Sequence, residues 1–470
     1  MLPTIRVGMW KDREVSIVGI GRANLPLADY LLSEGARVTL LDRTPRASLS
    51  AAALSLERRG ARLCLGDGYL DALSGEVIFR TPGIPSTHPA LVAAQRHGAL
   101  LSDEAELFMA LCPAKILGIT GSDGKTTTAT LTHRILKEEY GGAGVSVFLG
   151  GNIGVSLFPV LPRIRPSDLV VMELSSFQLE GITPRVARAC ITNLSENHLD
   201  HHGDFDTYLR AKSAILSGAV PILSGDNAHT RALARTLPHP LLFSAEHSAQ
   251  ELFSELPDAR RCFCVFGDAL CAVSPDGVTR RLLPLDAVRL RGRFNLANIL
   301  AACALCDGLV GQESLRCAVS TFDGVPHRMQ SVRTLSGVRY INSSIDTTPA
   351  RTAATLSAME TPPIVICGGR GKGLSYAKLA TALVGMARAA VFTGEDGKAM
   401  QAELLALDPD FPALYRTAFA DAVCAARAIA HAGDTVLLSP AATAYDAFLN
   451  YEQRGRAFTE LVLGFPTPEE

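Results

Sequence analysis

The stretch TGSDGKTTT, Thr120 to Thr128, follows the apolar run KILGI and opens a segment of helical composition. Strand, glycine loop, lysine, hydroxyl and helix in that order suit a phosphate group. The backbone amides of Gly121, Ser122, Asp123 and Gly124 and the helix N-terminus can surround phosphate oxygens. Lys125 reaches the outer phosphates, Thr126 offers its hydroxyl to Mg²⁺, and Thr127 extends the phosphate contacts. The commonest loop of this type, G-x-x-x-x-G-K-[ST], needs glycine at position 119, where Ile119 stands; the glycines are Gly118, Gly121 and Gly124.

Downstream, LVVMELSSFQLE places Glu173 at the C-terminal end of an apolar strand, the edge at which parallel α/β sheets bind ligands, and a carboxylate there suits Mg²⁺. ITNLSENHLDHHGDFDTYLRAK then carries His198, Asp200, His201 and His202 just past another strand. No cysteine lies close by, and the adjacent His201 and His202 are expected to point in different directions. A closed tetrahedral zinc site is therefore not expected, and one histidine with several oxygens around magnesium is the better reading. In LRGRFNLANILAACAL, Asn295 and Asn298 stand one helical turn apart near a helix start, where amides either read an adenine edge or cap the helix. Arg328 in DGVPHRMQ and Lys372 in ICGGRGKGLSY read as anion contacts.

These groups need a scaffold. A chain of 470 residues exceeds one hydrophobic core and suggests about three domains. Residues 15–42 read as strand, glycine turn, helix and strand, but Asn24 stands where a dinucleotide fold carries its third glycine, so an NAD site is weakly supported. A second βα series starts at KILGITG, preceded by the helical EAELFMALC and continued by LVVMELSS and ARACITNLS. A third follows Pro326, with VRYINSS, PIVICGG, AAVFTG and TVLLSP as strands. With 47% hydrophobic and 20% charged residues and a formal net charge of -2, there is no basic field to attract nucleic acid. The N-terminus lacks a signal core and no apolar run spans a membrane, so a cytoplasmic chain without a membrane partner is expected. The 11 scattered cysteines fit reduced core thiols, and Cys303-x-x-Cys306 in an Ala/Leu-rich run fits core packing rather than a redox or metal motif.

The ordered set TGSDGKTTT, GGNIG, ELSSFQLE, TNLSENHLDHH, YLRAK, NLANILAA, GVPHRM, GGRGKG and LLSPAATAYDAFLNYEQRGRAF resembles the Mur ligase family over essentially the whole chain. ELSSFQLE and the C-terminal segment point to members that add D-glutamate to UDP-N-acetylmuramoyl-L-alanine, and the Asp-Asn-Pro-Arg motif of the diamino-acid-adding sister is missing. The resemblance implies an α/β chain of three domains. Residues 1–104 would be a Rossmann-like domain for the UDP-sugar, 105–326 a P-loop-type ATPase sheet, and 327–470 a Rossmann-like domain for the amino acid that closes over ATP. It also implies a cytoplasmic monomer acting on small molecules. ATP would phosphorylate the substrate's carboxylate, and the amine of D-glutamate would displace phosphate from the acyl phosphate.

The resemblance further implies Thr126, Glu173, His198 and Lys212 around two Mg²⁺ ions, with Lys212 carried as a carbamate, and Lys125, His198 and Lys212 as the catalytic set. Gly19, Gly21, Asp42, Arg43 and Gly83 would hold UDP, and Asn152, Ser175 and Gln178 the muramoyl-alanine end. Asn295, Asn298 and Arg328 would contact ATP, while Thr347, Lys372 and Tyr451 would lie at the amino-acid end. Asn197, Phe294, Ser343 and Ala444 replace the Asp, His, Asp and Ser of the family pattern, with Thr443 offering a substitute hydroxyl. A folylpolyglutamate synthase is the alternative enzyme, opposed by the roughly hundred residues before the loop. A non-catalytic nucleotide-binding homologue is opposed by the unbroken phosphate and metal positions.

Overall fold

The structure, a computed structural model, describes residues 9–21, 23–153, 156–290, 292–371 and 375–467. It divides into two compact units, Met1–Phe322 and Asp323–Glu470. The first unit holds two sheets. Strands β1 (Glu14–Val18), β2 (Arg37–Asp42), β3 (Arg62–Leu65), β4 (Val77–Arg80) and β5 (Leu100–Ser102) form a parallel sheet in the order β3-β2-β1-β4-β5. The order reverses at β1, so the turns after β1 and β4 flank the crevice where such sheets take ligands.

The second sheet has nine strands: β6 (Lys115–Thr120), β7 (Val147–Gly151), β8 (Leu169–Glu173), β9 (Arg188–Ile191), β10 (Val220–Ser224), β11 (Leu241–Ser244), β12 (Arg261–Phe266), β13 (Ala269–Val273) and β14 (Thr279–Pro284). Their order is β14-β13-β12-β11-β10-β9-β6-β8-β7, parallel from β12 to β7, with β13 antiparallel to both β12 and β14. Helices cover both faces, which is why KILGIT and LVVME are buried almost without interruption. One apolar cluster runs from Phe79 of the first sheet, with Trp10 and Leu27 packed about it, through Phe108 and Phe158 to Met172 and Ile191 of the second sheet and the helical Tyr208. Cys303 and Cys306 are buried in a second cluster at the end of the helix Arg293–Leu305, with thiols pushed up by burial, as core packing requires.

The second unit carries β15 (Gln330–Leu335), β16 (Val338–Asn342), β17 (Ile364–Gly368), β18 (Ala389–Thr393), β19 (Ala413–Tyr415) and β20 (Thr435–Leu438), ordered β15-β16-β20-β17-β18-β19. All pairs are parallel except β15 with β16. VRYINSS, PIVICGG, AAVFTG and TVLLSP are indeed strands, with Val365, Phe392 and Leu437 in the core.

Between the first two sheets lies a buried acidic turn. Asp103 caps the helix Glu104–Leu111 by accepting from the Glu106 amide, Glu104 accepts from Ser156 at 2.7 Å and Glu106 from Ser102 at 2.7 Å. Burial pushes the Asp103 and Glu104 carboxyls up to about 7; the Glu106 amide and the charge of Arg80 oppose the shift at Asp103, and Ser156 opposes it at Glu104. A folded-state pKa above the unfolded value means that the native state binds more protons, so this part of the stability is present in acid and is lost as pH rises through about 7. The urea midpoint of wild type should fall more between pH 5 and pH 8 than that of an Asp103→Asn, Glu104→Gln variant, which keeps the cap. Equal slopes would refute this assignment.

Candidate active site

β6 lies between β9 and β8, so the loop that follows it meets both neighbours' C-terminal ends. From the β9 side, Asn193 accepts from the Asp123 amide at 2.8 Å and its carbonyl accepts from the Ser122 amide, while the Thr192 hydroxyl donates to the Asp123 carbonyl. Ser122 Oγ also sits 2.7 Å from the Tyr208 hydroxyl. The loop's glycines are steric necessities: at Gly121, φ 146°, a Cβ would stand 1.9 Å from Thr192 Oγ1, and at Gly124, φ 78°, 2.1 Å from Asn298 Oδ1. Gly124 leads directly into the helix Lys125–Tyr140.

From the β8 side comes Glu173, which is 2% exposed. The Thr126 hydroxyl donates to its Oε2 at 2.8 Å and Asn152 Nδ2 to its Oε1 at 2.8 Å. Two lysines meet at the loop's own backbone. Lys125 Nζ donates to the Gly121 and Ser122 carbonyls, each at 2.8 Å, and Lys212 Nζ donates to the same Gly121 carbonyl at 2.8 Å and to Thr120 Oγ1 at 3.2 Å. Lys212 is 2% exposed and lies over the Tyr208 ring. Burial and then the charge of Lys125 bring its pKa down to about 7, with Glu173 and Asp123 opposing. A neutral amine is thus accessible near neutral pH.

Ser175 and Gln178 form a reciprocal capping box around the short helix Ser176–Leu179. His198 is exposed in a left-handed conformation, φ 55°, with its ring 4.9 Å from Phe177. His201 and His202 do not diverge as expected. A one-turn helix, Leu199–His202, brings their rings 4.9 Å apart, and one ligand atom of each falls with a Glu180 oxygen into a group within 4.8 Å. In the first sheet, Asp42 turns its carboxylate onto the Ile20 and Thr44 amides at 2.5 and 2.8 Å; burial raises its pKa, but these bonds outweigh it and hold the group below the ordinary value. Asn24, in place of the third glycine, donates to the Gly19 carbonyl at 2.9 Å and braces that turn. Gly21 and Gly83 face open space, and Arg43 stands exposed 3.9 Å from Asp67. Asn295 and Asn298 lie on one helix, and Asn298 Oδ1 accepts from the Thr128 hydroxyl at 3.4 Å.

The Mur ligase middle domain matches residues 119–306, and the Mur ligase, glutamate ligase domain matches residues 327–442. A UDP-N-acetylmuramoylalanine--D-glutamate ligase from Clostridium novyi is 38% identical over 96% of this chain and 97% of its own. The protein of the same name from Symbiobacterium thermophilum is 37% identical over 97% and 99%. The chain belongs to the Mur ligase family. The crystal structure of a Thermotoga maritima UDP-N-acetylmuramate-alanine ligase superposes with a TM-score of 0.52 at 19% identity, covering 96% of this chain and 99% of that one, a likeness of fold.

In the Mur ligase C-terminal unit, Arg328 is exposed, Thr347 half-buried and Tyr451 at the first position of the helix Tyr451–Leu463. Lys372 lies outside the described residues. Thr443 spends its hydroxyl proton on the Arg370 carbonyl at 2.7 Å, so while that bond holds it does not supply the hydroxyl donor expected in place of the serine that Ala444 replaces. A residue that sequence reasoning passed over organises this unit: Arg454, 2% exposed, donates to the carbonyls of Ser344, Gly368, Ala442 and Thr443, at 3.0, 3.3, 3.1 and 3.1 Å. It ties together the loops after β16, β17 and β20. Asn193 and Tyr208 were missed likewise, although Tyr208 precedes Lys212 by one helical turn, a readable signal.

Gly124→Ala should destabilise the chain by about 1–2 kcal/mol from its left-handed backbone alone. It should also abolish the thermal stabilisation given by ATP. ATP protection equal to wild type would contradict the packing described for this loop.

Proposed function

We propose that this protein adds D-glutamate to UDP-N-acetylmuramoyl-L-alanine with hydrolysis of ATP to ADP and phosphate, an amide-forming step of peptidoglycan precursor synthesis. The observation that carries the reading is the contact of Thr126 with Glu173 at the mouth of the glycine loop, where hydroxyl, carboxylate and helix N-terminus converge. The named ligases from Clostridium novyi and Symbiobacterium thermophilum support the choice of substrates. We assign residues 1–104 to the UDP-sugar, 105–326 to ATP and 327–470 to the amino acid. Among the described residues no helix is long and apolar enough to cross a membrane, and we place the reaction in the cytoplasm with a monomer.

The amides of residues 121–124 and the helix N-terminus hold the phosphates of ATP. Lys125 leaves the Gly121 and Ser122 carbonyls to follow charge onto the γ-phosphoryl group as it transfers. The carboxylate of the muramoyl-alanine substrate attacks that phosphorus as its bond to the β-phosphate oxygen breaks and ADP leaves, and the acyl phosphate so formed carries a good leaving group. The amine of D-glutamate then attacks the carbonyl carbon, loses a proton and expels phosphate.

The oxygens of Thr126 and Glu173, which already meet, and the imidazole of His198 would hold Mg²⁺, which when bound would neutralise phosphate charge. An ammonium at Lys212 would oppose a cation. The buried, depressed amine would instead take up carbon dioxide and release a proton, and the anionic carbamate oxygen so formed would let Lys212 join these residues in holding two Mg²⁺ ions. UDP falls to the first sheet's turns at Gly19, Gly21 and Gly83, with Asp42 and Arg43 beside them. Asn152, Ser175 and Gln178 hold the muramoyl-alanine end, Asn295, Asn298 and Arg328 the nucleotide, and Thr347, Lys372 and Tyr451 the amino acid.

Lys125→Ala should lower ligation by about 3 kcal/mol, more than a hundredfold, with binding of the UDP-substrate nearly intact. Ligation within tenfold of wild type would remove the assignment. Carbon NMR of native protein under labelled carbon dioxide should show a carbamate resonance absent from Lys212→Ala, and rigorous removal of bicarbonate should lower activity. A bare ammonium in a fully active, magnesium-loaded sample would sink the carbamate. With amino acids at equal concentration, product should form with D-glutamate and not with L-glutamate, L-lysine or diaminopimelate; preference for a diamino acid would overturn the substrate assignment.

A further inference from the structure

Beside the loop that carries His198, a second set of potential ligands is left unused by the proposed reaction. Glu180 closes the ELSSFQLE segment, and His201 and His202 end the one-turn helix Leu199–His202. Among the described residues these three alone form a group of metal-ligating side chains, each contributing one atom to a set within 4.8 Å. His201 Nε2 and Glu180 Oε2 are already 3.0 Å apart. Two ligands each about 2.0–2.1 Å from a tetrahedral zinc ion stand about 3.3 Å apart, so this pair needs almost no movement.

The surroundings are those of a braced ligand set. His202 is 7% exposed; its Nε2 meets Ser176 Oγ at 3.0 Å, and its Nδ1 is buried without a hydrogen-bond partner. A buried imidazole nitrogen with no partner is costly, and ligation would satisfy it while Ser176 fixes the ring. Ser86 Oγ donates to the second Glu180 oxygen at 3.0 Å, the outer-shell bond that orients a ligating carboxylate. The Glu180 and His201 side chains remain 19% and 10% exposed, which leaves a way in from solvent.

One charge opposes a cation here. Arg80 Nη2 lies 3.7 Å from Glu180 Oε2, although the guanidinium's hydrogen bonds go to the carbonyls of Ile84, Phe177 and Glu180. Its repulsion weakens a carboxylate-dominated site, so the two imidazoles must supply the affinity. That disfavours Mg²⁺, which seeks oxygen, and favours a cation that seeks nitrogen.

We propose that Glu180, His201 and His202 bind a borderline-soft divalent cation of the zinc class, at a site separate from the one assigned to magnesium. The fourth position is open to water or to an added ligand. The site spans the two ends of a functional stretch: Ser176 opens and Glu180 ends the short helix capped by Ser175, and His201 and His202 follow His198. A bound cation would pin these two segments together.

The test uses the full chain in saturating Mg²⁺, with cobalt(II) as spectroscopic probe and zinc as competitor. One equivalent of cobalt should bind with the visible absorption of a four-coordinate nitrogen and oxygen site, and zinc should displace it. Glu180→Gln, His201→Gln and His202→Ala should each weaken binding about tenfold or more, with far-UV circular dichroism unchanged for the two less buried positions. Glu173→Gln should leave the spectrum intact. Loss of the signal in Glu173→Gln with retention in His201→Gln would place the cation in the magnesium set and overturn the proposal, as would the absence of any bound cobalt. Because these readouts are spectroscopic, they stand or fall independently of the amino-acid assay.

Discussion

Two lysine side chains converge on one backbone oxygen, the carbonyl of Gly121, each nitrogen 2.8 Å away. Two ammonium groups on one carbonyl, one of them almost wholly shielded from water, repel each other at low local dielectric. Lys125 is the more exposed of the two. Lys212 absorbs the conflict, with burial and its neighbour's charge bringing its pKa to about 7. The same constraint that makes an ammonium at position 212 expensive makes a free amine accessible there, which is what the carbamate proposed above requires.

The crowding is imposed by sheet order. With β9 and β8 on either side of β6, the loop is clamped by Thr192, Asn193 and Tyr208 from one flank and receives Glu173 and Asn152 from the other. From Thr192 and Asn193 the clamp is directed at backbone and preorganises the loop amides, while Tyr208 engages the Ser122 hydroxyl. The second unit uses the same device differently. Among the described residues the hydrogen bonds of Arg454 go to carbonyls and the Ser344 hydroxyl and not to a carboxylate, and burial brings its pKa down to about 10, with Asp446 and Asp346 opposing the fall. It persists because its fork satisfies carbonyls at the ends of three strands.

The substitutions away from the family pattern have uneven structural meaning. Ser343 is buried and accepts from the Met329 amide at 3.3 Å, so it has a bonding role of its own. Ala444 is 2% exposed, which leaves little room for added bulk, while Phe294 is 70% exposed at the start of its helix. Nothing in the structure accounts for Asn197.

The sequence by itself determined the alternation of apolar strands and helices, because continuous burial leaves continuous hydrophobic runs; Lys212 was singled out only through the family resemblance, whereas residue types and order singled out the loop, Lys125 and Glu173. The glycine positions were legible for the same reason: left-handed backbone and close approach admit little else. What only the tertiary structure decided is which distant groups meet. That Asn193 and Tyr208 clamp Ser122 and Asp123, that Asp42 turns inward, and that Arg454 joins three loops follow from strand order and burial, which leave no local pattern. The prediction that His201 and His202 diverge failed because neighbouring side chains separate in an extended strand, whereas a single helical turn capped by His198 in left-handed backbone swings both rings toward Glu180.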